Sequence, residues 1–271
     1  TSRSPLPTRL HYAFQSPSHL FLVIDYYGGG SLAERLQSSS FPEATARFYA
    51  AELVLCLEYL HEHGWVYRDL KPSNVMLDVE GHAHLVDFGL CKRVEKRMRR
   101  WSTGGSVEYL SPEVFESGKY DASVDWWSLG VVLWEMLSGG VPMNGVLEKP
   151  WYMSMGAFNV CYRLMERDVK RRLGACGSDE VKRHPFFGSV DWEAMCERRV
   201  KPPFVVQSGC DEVSDSLNEV SDSLNENENE ITFPNYAFPS PVSSQTHQFI
   251  RPVQCFDPHK HTNSLSSYWN L

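Results

Sequence analysis

The apolar residues of the chain fall into a few periodic patterns, and each of them predicts one element. Residues 20–24 form a short continuous apolar run, which favours a buried strand. Residues 46–60 place apolar side chains at helical spacing and Gly64 follows as a stop signal, so we expect a long amphipathic helix that begins at the capping-box pattern of residues 40–43. Residues 125–137 are apolar on nearly every face and predict a helix buried in the core.

Between the two helices the pattern changes to that of short strands. Residues 75–86 predict a hairpin that is closed by a turn at residues 79–81. His82 and His84 alternate along the second strand, and we interpret both as solvent-facing side chains. The three glycines at residues 28–30 lack the spacing of a phosphate-binding loop and predict a flexible hinge.

Composition narrows the function classes. The chain has 271 residues, 42% of them hydrophobic and 13% aromatic, so it can bury a sizeable core. Its net charge of -8, with the acidic residues concentrated at residues 211–230, argues against a general nucleic-acid binder. Seven cysteines without a Cys-x-x-Cys pair predict reduced thiols, and no run of eighteen apolar residues predicts a membrane span. We therefore expect a cytoplasmic or nuclear protein with no nucleic-acid or membrane partner.

The C-terminal part of the chain has a different composition. Residues 213–226 repeat Val-Ser-Asp-Ser-Leu-Asn-Glu twice, and low hydrophobicity with like charge predicts disorder around residues 208–232. The aromatic residues at 233–238 follow this stretch.

One short stretch carries the candidate chemistry. Asp69, Lys71 and Asn74 lie in the pattern Arg-Asp-Leu-x-x-x-Asn, and Asp87-Phe88-Gly89 follows after the predicted hairpin. Transfer of a phosphoryl group to a hydroxyl needs an acceptor for the hydroxyl proton, a metal ion that neutralises phosphate charge, and cations near the transferred oxygens. The alternative is a polar turn composed of ordinary turn residues, but chance agreement at so many positions is a poor explanation.

These two motifs resemble the catalytic loop and the metal-binding loop of protein kinases. Tyr67 stands where many kinases have His, and tyrosine at this position is typical of the AGC group. Within that group, the chain looks most similar to the ribosomal-protein S-six kinases. The resemblance implies an α+β, protein-kinase-like fold with a mainly α-helical large lobe and only remnant small-lobe strands. It divides the chain into a lead-in with a remnant small-lobe strand (1–19), a kinase domain (20–187) and an AGC-type tail (188–271).

The resemblance also implies roles for individual residues in catalysis with ATP and Mg²⁺. Asp69 would accept the substrate hydroxyl proton, Lys71 would contact the γ-phosphate, and Ser106 would bridge the two. Asn74 and Asp87 would hold magnesium. The nucleotide-binding residues would be Asp25, Tyr27, Ser31, Met76 and Asp87.

A second set of residues would support and regulate the site. By resemblance, Glu113 would pair with Arg172, and Asp125 would cap the backbone of the catalytic loop. Ser111 stands where the family usually has Ala.

The activation segment carries a candidate switch. Arg97 to Ser102 follow the pattern Arg-x-Arg-x-x-Ser, so an upstream basophilic kinase is expected to phosphorylate Ser102 or Thr103. Arg68 and Lys92 match the family's cations for that phosphate. The basic run could equally be a solvated loop, and this alternative stays open.

Three departures from the family limit the prediction. Nothing before residue 20 supplies a glycine-rich loop, a strand lysine or its partner glutamate, and the sequence begins without Met, so we expect a fragment with weak ATP turnover. Residues 144–162 look shorter than the stretch that normally holds a substrate-docking helix. Ser31 and Ser73 replace acidic residues that bind substrate arginines, which predicts less basic substrates.

Two function classes stay open. They are a monomeric serine/threonine kinase acting on proteins and a catalytically impaired, pseudokinase-like binding module.

Overall fold

The computed structural model describes residues 8–15, 20–37, 39–94, 98–99, 106–116, 119–142 and 147–204. The described residues fall into two units, one at residues 9–26 and a larger one that comprises residue 8 and the chain from Tyr27 onward. The predictions for Ser102, Thr103 and residues 208–232 lie outside the described residues, as do the aromatic residues at 233–238.

The smaller unit is a β-hairpin. Strand β1 (Leu10–Gln15) pairs antiparallel with β2 (Leu20–Ile24), which confirms the strand predicted from the apolar run. The rings of Phe14 and Phe21 are cross-strand partners and stack with their centroids 4.9 Å apart. His11 Nε2 lies 2.7 Å from the Asp25 carboxylate at the end of this hairpin.

Helices dominate the larger unit. In chain order they are α1 (Leu32–Leu36), α2 (Glu43–Glu62), α3 (Pro112–Glu116), α4 (Ser123–Ser138), α5 (Met155–Leu164), α6 (Ser178–Lys182) and α7 (Trp192–Cys196). Short 3-10 turns occur at Pro72–Asn74, Val107–Tyr109 and Pro185–Phe187.

Its strands are short and pair two by two. They are β3 (Trp65–Val66), β4 (Val75–Leu77), β5 (Ala83–Leu85), β6 (Lys92–Arg93), β7 (Met98–Arg99) and β8 (Lys119–Tyr120). The antiparallel pairs are β3 with β6, β4 with β5, and β7 with β8.

Helices α2 and α4 form the centre of the hydrophobic core. Both lie where the apolar pattern predicted them, and the side chains of α4 are buried almost throughout because that helix is apolar on nearly every face. Gly139 ends α4 in the left-handed conformation, with φ at 83°. The long helix and the core helix are therefore confirmed.

The capping box expected at the start of α2 was wrong. Pro42 is the N-cap of α2 and offers no side-chain hydrogen bond, while the Glu43 carboxylate accepts from the backbone N–H of Ser154, 2.6 Å away. A capping box occurs instead at α1, where Ser31 and Glu34 each accept from the other's backbone N–H. The pattern that begins at Ser40 failed because the helix begins after Pro42 and the Glu43 side chain bonds to Ser154 instead of to the backbone of Ser40.

The glycine-containing segment of residues 27–31, the hinge segment, runs alongside β4. The Gly29 N–H donates to Leu77 O at 2.8 Å, and the Leu77 N–H donates to Gly30 O at 2.9 Å. A Cβ on Gly29 would lie 2.6 Å from Leu77 O, closer than atoms tolerate. Glycine is required at this position because the hinge segment and β4 approach each other closely.

Two further expectations concern the chain as a whole. None of the helices in the described ranges is both long enough and apolar enough to span a bilayer. The cysteines described, Cys56, Cys91, Cys161, Cys176 and Cys196, form no disulfide.

Candidate active site

The catalytic loop is held by a carboxylate from α4. Asp125 lies in the first turn of α4, and its two oxygens accept from the backbone N–H groups of Tyr67 (2.9 Å) and Arg68 (2.8 Å). The His61 ring approaches the same carboxylate, with Nε2 2.7 Å from Oδ2. Asp125 is fully buried, so these partners compensate for its desolvation. They hold Arg68 in the left-handed conformation, with φ at 72°.

Asp69, Lys71 and Asn74 converge within hydrogen-bond distance. The Lys71 Nζ lies 2.9 Å from Asp69 Oδ2, and the Asn74 amide donates to the same oxygen at 2.8 Å. Asn74 also donates to the backbone carbonyl of Asp69 at 2.9 Å, so the loop closes on itself. The sequence spacing thus yields a compact cluster of one buried carboxylate, one cation and one amide.

Tyr67 connects this loop to the segment that carries Asp87. Its hydroxyl donates to the backbone carbonyl of Val86, the residue before Asp87, and its ring packs edge-on against Phe88. Burial, reinforced by the charges of Asp69 and Asp87, raises the pKa of Tyr67 well above its usual value. Tyr67 is therefore a permanent hydrogen-bond donor to this segment.

Asp87 is exposed to solvent. Asp87 adopts the left-handed conformation, with φ at 58°, and its Oδ1 accepts from the Gly89 N–H at 3.1 Å. A non-glycine residue in this conformation is uncommon and often marks a functional position.

The hairpin that precedes Asp87 is anchored by buried charge. Glu52 of α2 is fully buried, with Oε1 2.6 Å from His82 Nδ1 and Oε2 accepting from the Ala83 N–H at 2.8 Å. His84 is partly buried and pairs with Asp78 at 2.9 Å. The interpretation of His82 and His84 as solvent-facing residues was therefore wrong, because each ring has a carboxylate partner: Glu52 on α2 for His82, and Asp78 across the hairpin for His84.

The nucleotide-binding residues predicted from the resemblance divide between the two units. Tyr27, Ser31 and Met76 belong to the larger unit, where Ser31 forms a bridge with Met76. Asp25 belongs to the smaller unit, where its carboxylate pairs with His11. The Ser31 hydroxyl caps α1, accepting from the Glu34 N–H at 3.2 Å.

Glu113 and Arg172 form a buried two-bond ion pair. The distances are 2.6 Å from Nη1 to Oε1 and 2.9 Å from Nη2 to Oε2, and the Arg172 side chain is fully buried. Arg172 Nε donates further to the backbone carbonyl of Glu166, and the guanidinium packs over the Trp127 ring. This pair joins the α3 segment to the segment before α6, as a structural role requires.

Ser106 lines a cleft of about 340 Å³ together with Lys71, Ser73, Tyr109 and Glu135. Tyr109 donates a hydrogen bond to Glu135 at 2.7 Å. Burial raises the pKa of Glu135 and the bond from Tyr109 lowers it, but the effect of burial is larger, so the pKa of Glu135 is raised. Within the described residues, no hydrogen bond joins Ser106 to Asp69 or Lys71.

The side chain of Arg68, one of the two predicted phosphate-binding cations, has hydrogen-bond partners. Arg68 donates through Nε to the Leu90 carbonyl and through Nη1 to the Tyr120 hydroxyl, 2.7 Å away. Lys92 lies on β6, opposite Val66 of β3. Their proposed targets, Ser102 and Thr103, lie outside the described residues.

Sequence reasoning missed three residues that shape the site. His61 and Glu52 act through contacts with residues 64 and 30 positions away, and Tyr120 contacts Arg68 across 52 positions. The only signal for Glu52 was a charged residue on the buried stretch of an amphipathic helix.

Comparison with known proteins identifies the family. The protein kinase domain family matches residues 2–187. The chain is a member of the protein kinase family. This agrees with the predicted α+β, kinase-like fold, and the prediction that the chain belongs to the protein kinase family is confirmed.

The relatives of this kinase-family chain include ribosomal protein S6 kinases. It is 42% identical over 220 residues to ribosomal protein S6 kinase alpha-6 of Mus musculus, and the aligned stretch covers 76% of this chain and 29% of the relative. It is 41% identical over 217 residues to ribosomal protein S6 kinase 2 alpha of Gallus gallus, covering 74% and 29%. A probable serine/threonine-protein kinase of Dictyostelium discoideum is 40% identical over 227 residues, covering 78% and 50%.

These matches confirm the predicted similarity to ribosomal-protein S6 kinases of the AGC group. The chain spans about 29% of the length of the first two relatives.

Proposed function

We propose that this chain carries the catalytic loop of a protein serine/threonine kinase, which transfers the γ-phosphoryl group of ATP to hydroxyls of protein substrates. The observation that carries this proposal is the cluster of Asp69, Lys71 and Asn74, with contacts of 2.8–2.9 Å. A carboxylate beside a lysine suits a reaction in which a hydroxyl loses its proton while negative charge develops on phosphate oxygens.

The contacts of Asp69 suggest which of its oxygens acts. Both side-chain contacts in the described part of the chain, from Lys71 and from Asn74, go to Oδ2. Asp69 Oδ1 is then the oxygen that would accept the proton of the substrate hydroxyl as that hydroxyl oxygen bonds to phosphorus and ADP leaves. Because Lys71 and Asn74 hold Oδ2, they would fix the orientation of Oδ1.

The residues present fit the magnesium that this chemistry uses. The amide nitrogen of Asn74 donates hydrogen bonds to Asp69, so the side-chain carbonyl oxygen of Asn74 is the atom that would bind magnesium. Asp87 has an exposed carboxylate that would be a second ligand. Magnesium prefers such oxygen ligands and usually combines one or two protein ligands with substrate phosphates. The described residues contain no cluster of three or more His, Cys, Asp or Glu side chains for a metal, so a site completed by phosphates is the fitting type. When bound, magnesium would neutralise phosphate charge.

The cleft beside Lys71 supports a proposal about substrates. It contains the hydroxyls of Ser73 and Ser106 and one carboxylate, Glu135, which is already bonded to Tyr109. Ser31, likewise, is engaged in capping α1. With serines where acidic residues would pair with arginines, we expect weak selection for basic protein substrates.

The proposal is tested by phosphoryl transfer to a serine/threonine peptide library with MgATP. Asp69→Asn keeps the size of the side chain but removes the base, and loss of a positioned base typically lowers the rate about 10²- to 10⁴-fold. Asp179→Asn is the matched control, because Asp179 is an exposed carboxylate on α6 whose ion-pair partner among the described residues is Arg183, the C-cap of that helix.

Equal rates for the two variants would contradict the role of Asp69. Absence of transfer by the unsubstituted chain, together with absence of MgATP binding, would contradict the proposed function for this chain.

A further inference from the structure

His84 lies at a junction between the hinge segment and the C-terminal part of the larger unit. Its imidazole stacks on the Tyr27 ring, with centroids 4.4 Å apart and planes inclined by 27°. Its Nε2 lies 2.9 Å from Asp78 Oδ2 and 3.2 Å from Arg198 Nη2. The ring is therefore held by its edge while its face covers the first residue of the hinge segment.

The strand register places His84 next to the proposed adenine-binding surface. Met76 on β4 and His84 on β5 are direct cross-strand partners, and such partners share one face of a hairpin. Ser31 bridges to Met76 from the other side, so the hinge segment, β4 and β5 form three adjacent extended segments. His84 thus lies on the face that carries Met76.

Within the described part of the chain, most contacts of the hinge segment are made by its backbone or its ends: Arg35 Nη2 donates to Gly29 O at 3.0 Å, Ser31 caps α1, and Thr8 Oγ1 lies 3.0 Å from the Tyr27 hydroxyl. Gly29 and Gly30 have no side chains, and the segment is attached to β4 by the two backbone hydrogen bonds with Leu77. Tyr27 provides the large side chain of the segment, and it is 93% buried, with an exposed fraction of 7%. What covers the Tyr27 ring therefore affects where the hinge backbone lies.

We propose that His84 is a positioning residue for the nucleotide: its ring, by stacking on Tyr27, fixes the hinge backbone that receives the adenine base. This inference rests on the proposed function, because it assumes that the hinge segment binds a nucleotide.

Asp78 and Arg198 set the orientation of the His84 ring. The Nε2 atom carries either a hydrogen or a lone pair, so it donates to Asp78 or accepts from Arg198, but it does not do both at once. Either bond keeps the ring in the same plane. Arg198 Nη1 also lies 3.4 Å from Asp78 Oδ2, so these two charges remain paired when the imidazole is replaced. A substitution at His84 consequently leaves no isolated charge.

Two variants separate the ring from its polar edge. His84→Phe keeps an aromatic face for Tyr27 and removes the polar edge, whereas His84→Lys keeps a hydrogen-bond donor for Asp78 and removes the ring. The controls are His63→Phe and His63→Lys, because His63 also lies against a tyrosine ring, that of Tyr59 at 4.1 Å, but at the exposed end of α2.

Two measurements are made on each variant of the full chain: the Kd of MgADP by calorimetry, and the rate of hydrogen exchange at the Gly29 amide. We expect His84→Lys to raise Kd about two- to tenfold, the effect of one aromatic pair, and to speed exchange at Gly29. We expect His84→Phe to restore both values to near those of the original chain, and the His63 variants to change neither.

The two hypotheses fail in different ways. If the unsubstituted chain does not bind MgADP, the proposed nucleotide function fails, and Gly29 exchange still decides whether His84 positions the hinge. If His84→Lys leaves both Kd and exchange unchanged, or if His84→Phe loses as much as His84→Lys, stacking on Tyr27 does not position the hinge. An equal effect of His63→Lys would also overturn the inference.

Discussion

Replacing Ser111 by alanine should stabilise the protein. Ser111 precedes α3 and has an exposed fraction of 1%, and its hydroxyl has no hydrogen-bond partner among the described residues. Serine and alanine differ only by this oxygen, so Ser111→Ala removes the unpaired group and leaves the Cβ contacts in place. Burial removes the hydroxyl from water, and this costs free energy that no hydrogen bond in the folded state offsets.

The magnitude follows from the cost of a buried unpaired group. Leaving such a donor or acceptor unsatisfied costs about 1–3 kcal/mol, and a small loss of packing offsets part of the gain. We therefore expect Ser111→Ala to raise the free energy of unfolding by about 1 kcal/mol. For a domain of 150–250 residues, this corresponds to a rise in Tm of about 2–4 °C.

Ser128 provides the matched control. It is also buried, but its hydroxyl contacts Tyr109 O at 2.8 Å and Val124 O at 3.1 Å. Ser128→Ala removes these contacts and leaves the Tyr109 carbonyl without a hydrogen-bond partner among the described residues, so it should lower the free energy of unfolding by about 1 kcal/mol.

Urea unfolding and thermal melting of both variants test the reasoning. Opposite signs for the two substitutions are expected. If Ser111→Ala destabilises the protein as much as Ser128→Ala does, then a buried water molecule satisfies Ser111 and the argument from an unpaired hydroxyl is refuted.

Three further substitutions test other parts of the structure. Although burial alone would raise the pKa of Asp78, hydrogen bonds from the His84 ring and a backbone N–H lower it to about 2. The lowered pKa of Asp78 therefore stabilises the folded protein by about 2 kcal/mol above about pH 4, and this stabilisation is lost as pH falls through about 2. Asp78→Asn should abolish this pH dependence of the free energy of unfolding, measured by urea unfolding between pH 5 and 2. Glu113→Gln leaves the buried Arg172 guanidinium without its charged partner and should lower the free energy of unfolding by about 3–5 kcal/mol, and a loss below 1 kcal/mol would disprove this. Gly29→Ala should weaken MgADP binding, because its methyl would displace the hinge segment from β4; an unchanged Kd would contradict that reading.

The elements that the sequence predicted well are those determined by local patterns. Helix α2 and the core helix α4 follow from apolar periodicity, and the β4–β5 hairpin follows from short apolar runs around a turn. The cluster of Asp69, Lys71 and Asn74 was predictable for a similar reason, because these residues are at most five positions apart and one tight loop brings them together.

The failures concern contacts between elements that are distant in sequence. His82 and His84 looked like surface residues because an alternating strand does not reveal that Glu52 of α2 or Arg198 after α7 lies beside it. The capping pattern at residues 40–43 failed because the first turn of α2 is set by Pro42 and by the contact with Ser154, 111 positions away.

The sequence by itself determined helices α2 and α4, the hairpin and the residue types of the candidate catalytic loop, since spacing along the backbone dictates which nearby side chains can meet. The tertiary structure alone decided how that loop is held. Asp125 reaches Tyr67 and Arg68 across 58 and 57 positions, and His61 reaches Asp125 across 64. These bonds form only when α2 and α4 pack together, because a buried carboxylate needs partners to offset its desolvation and the packed core determines which partners are within reach.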